Sequence, residues 1–100
     1  MRVIANSTLV TFGAENPRAA APLAHWRRVV KEARWTTMAD AQATFSKSKA
    51  INAERIRFEV AGGAFRLICA IDFRRQIVFV KFLGTHAEYD AIDATSVAQF

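Results

Sequence analysis

An α+β fold is predicted by three features of the chain. In the first half, apolar residues recur at helical spacing, as in Leu23, Trp26, Val30 and Ala33. From Arg55 the period changes to two, and Arg55-Ile56-Arg57-Phe58-Glu59-Val60 alternates cleanly. Gly62-Gly63 then marks a tight hairpin. The expected architecture is a set of N-terminal helices packed on a mainly antiparallel sheet, closed by a short C-terminal helix. One domain over residues 1–100 is expected, because a chain of this length holds one core and contains no long linker, repeat or low-complexity segment.

Each element has a local reason. Met1 to Ala5 is a short β-like run. Asn6 or Ser7 is expected to cap a helix that carries Leu9 and Phe12 and stops before Pro17. Pro17 to Pro22 is expected to turn the chain, with Pro22 in the first turn of a second helix. Arg27, Arg28, Lys31 and Arg34 occupy the other sides of that helix. They can form a solvated face, a phosphate-contacting ridge or a surface that meets an antagonist protein. His25 lies among the core positions of this helix and is read as structural. Thr37 and Asp40 form a capping-box start for a third helix through Ala41, Ala43 and Phe45. Ser46-Lys47-Ser48-Lys49 reads as a basic loop, which can be merely solvated or can reach a nucleic-acid backbone.

The hairpin at Gly62-Gly63 pairs Val60 with Phe65, Glu59 with Arg66, Phe58 with Leu67, Arg57 with Ile68 and Ile56 with Cys69. This register gathers the apolar residues on one face, and a slip of one would scatter them. A second turn at Arg74-Arg75 would put Val78, Val80 and Phe82 on the face of Ile71, Cys69 and Leu67, with Lys81 opposite Ile68 and Leu83 opposite Arg66. The other face then carries Arg55, Arg57, Glu59, Arg66 and Lys81. Beyond Gly84, Thr85 and Glu88 form a capping box. Within that helix His86, Tyr89 and Asp90 share one side, since residues three and four apart are neighbours. A proton-transfer residue, a phenol and a carboxylate therefore meet at the edge of a basic floor.

Composition narrows the class. Fourteen Lys and Arg against nine Asp and Glu give a net charge of +5, which favours an acidic partner, whether nucleic acid, an anionic surface or an acidic protein. A hydrophobic share of 52% excludes disorder. The single cysteine, Cys69, excludes an internal disulfide and falls in the core phase of a strand. No apolar run is long enough to span a membrane, and the N-terminus lacks a signal-peptide pattern, so the expected location is the cytoplasm. One cysteine and two separated histidines do not build a zinc site, and Gly62-Gly63 lacks the context of a phosphate loop.

The string Gly84-Thr85-His86-Ala87-Glu88-Tyr89-Asp90 resembles the C-terminal signature of HigB-type toxins, a branch of the RelE/ParE superfamily of toxin–antitoxin systems. The likeness extends through Phe65-Arg66-Leu67-Ile68, Ala70-Ile71 and Ile77 to Phe82, and includes Arg2-Val3-Ile4-Ala5, Trp26, Ala39-Asp40 and the strand around Phe58. It implies a compact RelE-like fold and a ribosome-dependent mRNA endonuclease that uses no metal or other cofactor. It also implies neutralisation by a cognate antitoxin in a hetero-oligomer. The implied partners are the antitoxin, mRNA and the ribosome. One departure stands out: relatives commonly have Asn where this chain has Glu59.

For metal-independent RNA cleavage, His86 is the expected general base or acid, since imidazoles as a class exchange protons near neutral pH. Tyr89 is expected to transfer a proton, donate a hydrogen bond or stack on a base. Arg66 is the expected phosphate clamp, because its fork matches phosphate oxygens, and Lys81 supports it. Arg57, Arg55, Arg74 and Arg75 are expected RNA contacts. Asp90 and Glu59 are expected to orient their cationic neighbours. Two rival readings share the fold: a non-catalytic toxin that poisons a protein target such as gyrase, and an inactive decoy that only binds antitoxin.

Overall fold

The computed structural model describes all residues 1–100 and contains four helices and five strands. In chain order these are β1 (Arg2–Ile4), α1 (Asn6–Glu15), α2 (Pro17–Glu32), α3 (Met38–Thr44), β2 (Ser48–Ala50), β3 (Arg55–Val60), β4 (Phe65–Asp72), β5 (Ile77–Thr85) and α4 (His86–Asp90). The strands form one sheet in the order β1-β5-β4-β3-β2. β1 runs parallel to β5, and every other pairing is antiparallel.

The helical half follows its apolar spacing, with two corrections at its boundaries. Ala5, not Asn6 or Ser7, is the N-cap of α1, and no side chain bonds to that helix start. The helix begins directly where β1 ends, which leaves the Asn6 side chain free to accept from Arg27 Nε at 3.3 Å. Pro17 to Pro22 is helix, not turn: Pro17 is the first residue of α2 and Pro22 lies one turn further in. Pro at the first position costs nothing, because its missing N–H would have had no partner there. The turn between α1 and α2 is the single residue Asn16, which returns to the Phe12 carbonyl through its backbone N–H (2.8 Å) and Nδ2 (3.1 Å). Such a tight corner brings the two helices close. A Cβ on Gly13 would stand 3.1 Å from the Ala20 Cα, so any side chain there would push the two helices apart by a few tenths of an ångström.

α3 begins with the expected capping box, in which Thr37 accepts from the Asp40 N–H and the Asp40 carboxylate accepts from the Thr37 N–H. The segment expected as a loop differs. Ser48–Ala50 is an edge strand, pairing Ser48 with Phe58, Lys49 with Arg57 and Ala50 with Ile56. Sequence periodicity over three residues carries no strand signal; the open edge of β3 supplies the partners that draw this segment into the sheet.

The core lies between the first three helices and one sheet face. Leu9, Leu23, Trp26, Val30, Trp35 and Ala41 meet Ile56, Phe58, Val60, Leu67, Cys69, Val78 and Val80 there. Phe58 is its centre, edge-on to Trp26 and Phe45 with centroids 5.4 and 5.2 Å away and stacked on Trp35 at 6.5 Å. Burying one such ring stabilises the fold by roughly 1.5–3 kcal/mol, and each aromatic pair adds about 0.5–1.5 kcal/mol. Burial pushes the Cys69 thiol well above its usual range, so it packs as a small apolar group.

The β3–β4 hairpin has the expected register from Arg55↔Ala70 to Val60↔Phe65. In β4–β5 the expected register holds from Asp72↔Ile77 to Cys69↔Val80 and then breaks. Ile68 pairs with Phe82, Leu67 with Leu83 and Arg66 with Gly84, so Lys81 is the extra residue of a β-bulge and is not opposite Ile68. One extra residue exchanges the two faces. Leu83 joins the core in place of Phe82, and Phe82 moves to the opposite face, where it is still buried. That opposite face is covered by α4 and by the C-terminal residues 91–100.

Candidate functional site

α4 has only five residues, too few to be stable alone, and its position comes from three tethers. Thr85 Oγ1 accepts from the Glu88 N–H at 3.1 Å and Glu88 Oε1 accepts from the Thr85 N–H at 2.8 Å. The His86 N–H donates to the Ala64 carbonyl at 3.1 Å, which fixes the helix start to the end of the β3–β4 hairpin. The Tyr89 ring then lies edge-on to Phe82, with centroids 6.3 Å apart. The bulge at Lys81 is what turns Phe82 toward this ring.

Two guanidinium groups flank Tyr89. Arg57 and Arg66 have their central carbons 5.8 and 5.9 Å from the ring centroid, within cation–π range. Arg66 Nη1 also donates to Glu59 Oε1 at 3.1 Å, with the side chains only 11% and 26% exposed. The Nε–H groups of both arginines are buried and have no hydrogen-bond partner. Buried donors are normally satisfied, and these two are shut off from solvent, so a ligand meets the guanidinium groups at their outer nitrogens, of which only Arg66 Nη1 has a partner in the protein. On the same side of the sheet Lys49 lies directly opposite Arg57. Like charges opposite one another cost stability, and no acidic side chain offsets this pair.

His86 and Asp90 form the outward part of the site. His86 Nδ1 lies 3.0 Å from Asp90 Oδ2, within ion-pair distance, and both side chains are more than half exposed. Lys81 forms no ion pair; its ammonium lies 5.6 Å over the Phe79 ring.

The remaining sequence-derived residues lie apart. Arg55 Nη1 donates to the carbonyls of Ala94 (3.1 Å) and Val97 (2.7 Å), so its charge holds the C-terminal segment on the sheet. Arg74 and Arg75 are exposed in the β4–β5 turn, and Arg75 lies 3.8 Å from Asp72. About 20 Å of strand separates that turn from Arg66. His25 is exposed on α2, not packed among core residues. No three His, Cys, Asp or Glu side chains converge as they would around a metal ion.

Sequence reasoning placed Lys49 in a basic loop that could reach nucleic acid but missed the strand that sets it opposite Arg57, and it missed one participant. Phe82, the support beneath Tyr89, was expected in the core. The unbroken apolar run Ile77-Val78-Phe79-Val80 followed by Phe82-Leu83 was the available signal, since a strand with adjacent buried residues needs both faces covered or a bulge.

No curated protein matches the chain. The family model HigB_toxin, described as the RelE-like toxic component of a toxin–antitoxin system, matches residues 19–92. That span runs from the start of α2 through α4 and includes Arg57, Glu59, Arg66, Lys81, His86, Tyr89 and Asp90. A toxin of this kind has an antitoxin as its partner. The α+β fold agrees with the match, and the chain belongs to the HigB family of RelE-like toxins.

Proposed function

We propose that this toxin is a ribosome-dependent mRNA endonuclease that works without a metal ion. The observation that carries the reading is the Arg57–Tyr89–Arg66 arrangement, two guanidinium groups held against the ring of Tyr89, with the His86–Asp90 pair on the same short helix as that tyrosine. Two preorganised cations beside a proton acceptor are what cleavage of a phosphodiester by its own 2′-hydroxyl requires.

The steps follow from the side chains. Asp90 holds His86 through Nδ1, and His86 Nε2 takes the proton of the ribose 2′-hydroxyl. The 2′-oxygen attacks phosphorus and the bond to the 5′-oxygen breaks. Arg66 and Arg57 stabilise the charge gathering on the non-bridging oxygens, and Lys81 adds to the field. Tyr89 donates a proton to the leaving 5′-oxygen. The products are a 2′,3′-cyclic phosphate, or a 3′-phosphate after hydrolysis, and a 5′-hydroxyl. Lys49 contacts RNA beside this centre, Arg74 and Arg75 contact it only at the far end of the sheet, Arg55 holds the C-terminal segment instead, and Glu59 orients Arg66. The site works in the cytoplasm on mRNA in the ribosome, and a cognate antitoxin neutralises it in a hetero-oligomer.

The 3.1 Å bond from Arg66 to Glu59 favours one rival, a copy that binds antitoxin but no longer cuts. Induction of the protein in a bacterial host, with 5′-end mapping of transcripts beside His86→Ala and Arg66→Ala, separates the readings. Cuts within translated transcripts are expected, with each folded variant losing about 10²–10⁴-fold in cutting. Growth arrest without cuts would replace the nuclease by a poison of a protein target such as gyrase. Normal growth with folded protein would favour the decoy.

A further inference from the structure

A cleft of about 670 Å³ lies between β1 and α2, on the helix side of the sheet and away from α4. Four cationic side chains line it: Arg2, Arg27, Arg28 and Lys31. None of them is paired with a carboxylate, and no acidic residue lines the cleft. Arg27 and Lys31 are one helical turn apart, so their charges project along one side. Met1, Val3 and Ala24 supply apolar lining between them.

The same cleft contains an open sheet edge. β1 pairs only with β5 and ends the strand order. The Arg2 N–H donates to the Gln76 carbonyl at 2.9 Å, and a parallel ladder alternates, so the Val3 N–H and C=O point away from β5. An edge of this kind accepts an extended segment by strand addition.

We propose that this cleft is the docking groove for an extended acidic segment of the antitoxin, which joins the sheet alongside β1. Its acidic side chains meet Arg27, Arg28, Lys31 and Arg2, and its alternate apolar side chains rest on Val3 and Ala24. A nucleic-acid backbone would answer the cations but would leave the apolar lining and the paired donor and acceptor of Val3 unmatched. The antitoxin follows from family membership and not from the cleavage reading. It would grip the side of the sheet opposite Tyr89.

The test uses the full chain and a defined probe, a fluorescein-labelled Glu-Val-Glu-Val-Glu-Val peptide with blocked ends, followed by anisotropy. Two further peptides carry N-methyl groups on alternate amides, one set on each edge. A double variant, Arg27→Glu with Lys31→Glu, is compared with Arg18→Glu with Lys47→Glu, which changes net charge equally at exposed positions outside the cleft. Binding is expected to weaken at least tenfold in the first variant and less than twofold in the second. One methylated peptide is expected to lose binding and the other to keep it. Equal loss in both variants, or equal binding of all three peptides, overturns the proposal. So does failure of the peptide to bind folded wild-type protein, or a preference of the cleft for a twelve-nucleotide oligouridine over the peptide. Transcript cutting is scored separately, so a failed docking and a failed nuclease reading give different results.

Discussion

Gly84 couples the strand, the cap and the site, and Gly84→Ala tests that coupling. Gly84 has an ordinary backbone conformation, so its requirement is space. A Cβ there would lie 2.8 and 3.1 Å from Cζ and Cε2 of Phe82, and 3.1 Å from Glu88 Oε1. Phe82 is 4% exposed and has little room to move except toward Tyr89. Glu88 can swing away only by giving up its 2.8 Å bond from the Thr85 N–H, half of the capping box. Inserting a methyl group into such packing costs typically 1–3 kcal/mol, and loss of a cap costs about 0.5–2 kcal/mol. The two strains share one methyl group, so a net destabilisation of about 2 kcal/mol is expected. For a domain of this size that lowers the melting temperature by roughly 8–16 °C. Gly62→Ala is the control, since nothing lies within 4 Å of its Cβ and only its φ of +67° opposes alanine, a cost of about 1 kcal/mol. Thermal unfolding gives the stabilities, and NMR contacts between the Phe82 and Tyr89 rings report the site. Wild-type stability with unchanged ring contacts in Gly84→Ala would refute the coupling.

Three other perturbations have defined outcomes. Lys49→Glu replaces the like-charge pair with Arg57 by an opposite one and should raise stability by about 0.2–1 kcal/mol in urea unfolding, while lowering transcript cutting; a loss of stability would show that Lys49 has an unseen structural role. Arg55→Met removes both bonds to the Ala94 and Val97 carbonyls, so carboxypeptidase should trim the C-terminus faster than in wild type, while the melting temperature changes little. Asp40→Asn bears on pH. Bonds from Thr36 and Thr37 hold the Asp40 carboxyl below the usual carboxylate range, so its contribution is full above the unfolded pKa and is lost as pH falls through the lower folded value. The variant should be less stable than wild type in urea at pH 7, and the gap should narrow below about pH 4.

Legibility from sequence tracked how local the physical cause was. Both capping boxes and the β3–β4 register were readable, because a cap spans four residues and the alternation Arg55 to Val60 leaves one acceptable pairing. Pro22 was misread because a proline near a helix start and a proline ending a loop look alike in sequence. β2 was invisible because its cause is the unpaired edge of β3. The Lys81 bulge was the costliest omission, since shifting one residue decides whether Phe82 or Leu83 enters the core. Among the site residues, the spacing of His86 and Asp90 on one helix foretold their 3.0 Å contact. The meeting of Tyr89 with Arg57 and Arg66 could not be foretold, because it depends on how α4 folds back across two strands.

The order in which these forces act explains why the site sits where it does. The helices claim one sheet face, and period-two alternation in β3 leaves arginines on the other. A bare face of that kind would stay open, but the bulge adds Phe82 to it, and Ile68 beside Phe82 completes a small apolar patch. Covering that patch is what draws in Tyr89, and with it the helix that carries His86 and Asp90. The apolar contact is therefore the anchor and the cations are its surroundings. Arg57 and Arg66 stay close to Tyr89 although nothing in the chain satisfies their Nε–H groups. A fold selected only for stability would have placed an acceptor there, as Glu59 does for one nitrogen of Arg66. The cost of leaving those two nitrogens bare is the part of the arrangement that packing does not explain; it holds both guanidinium groups against Tyr89, where their outer nitrogens could meet a phosphate.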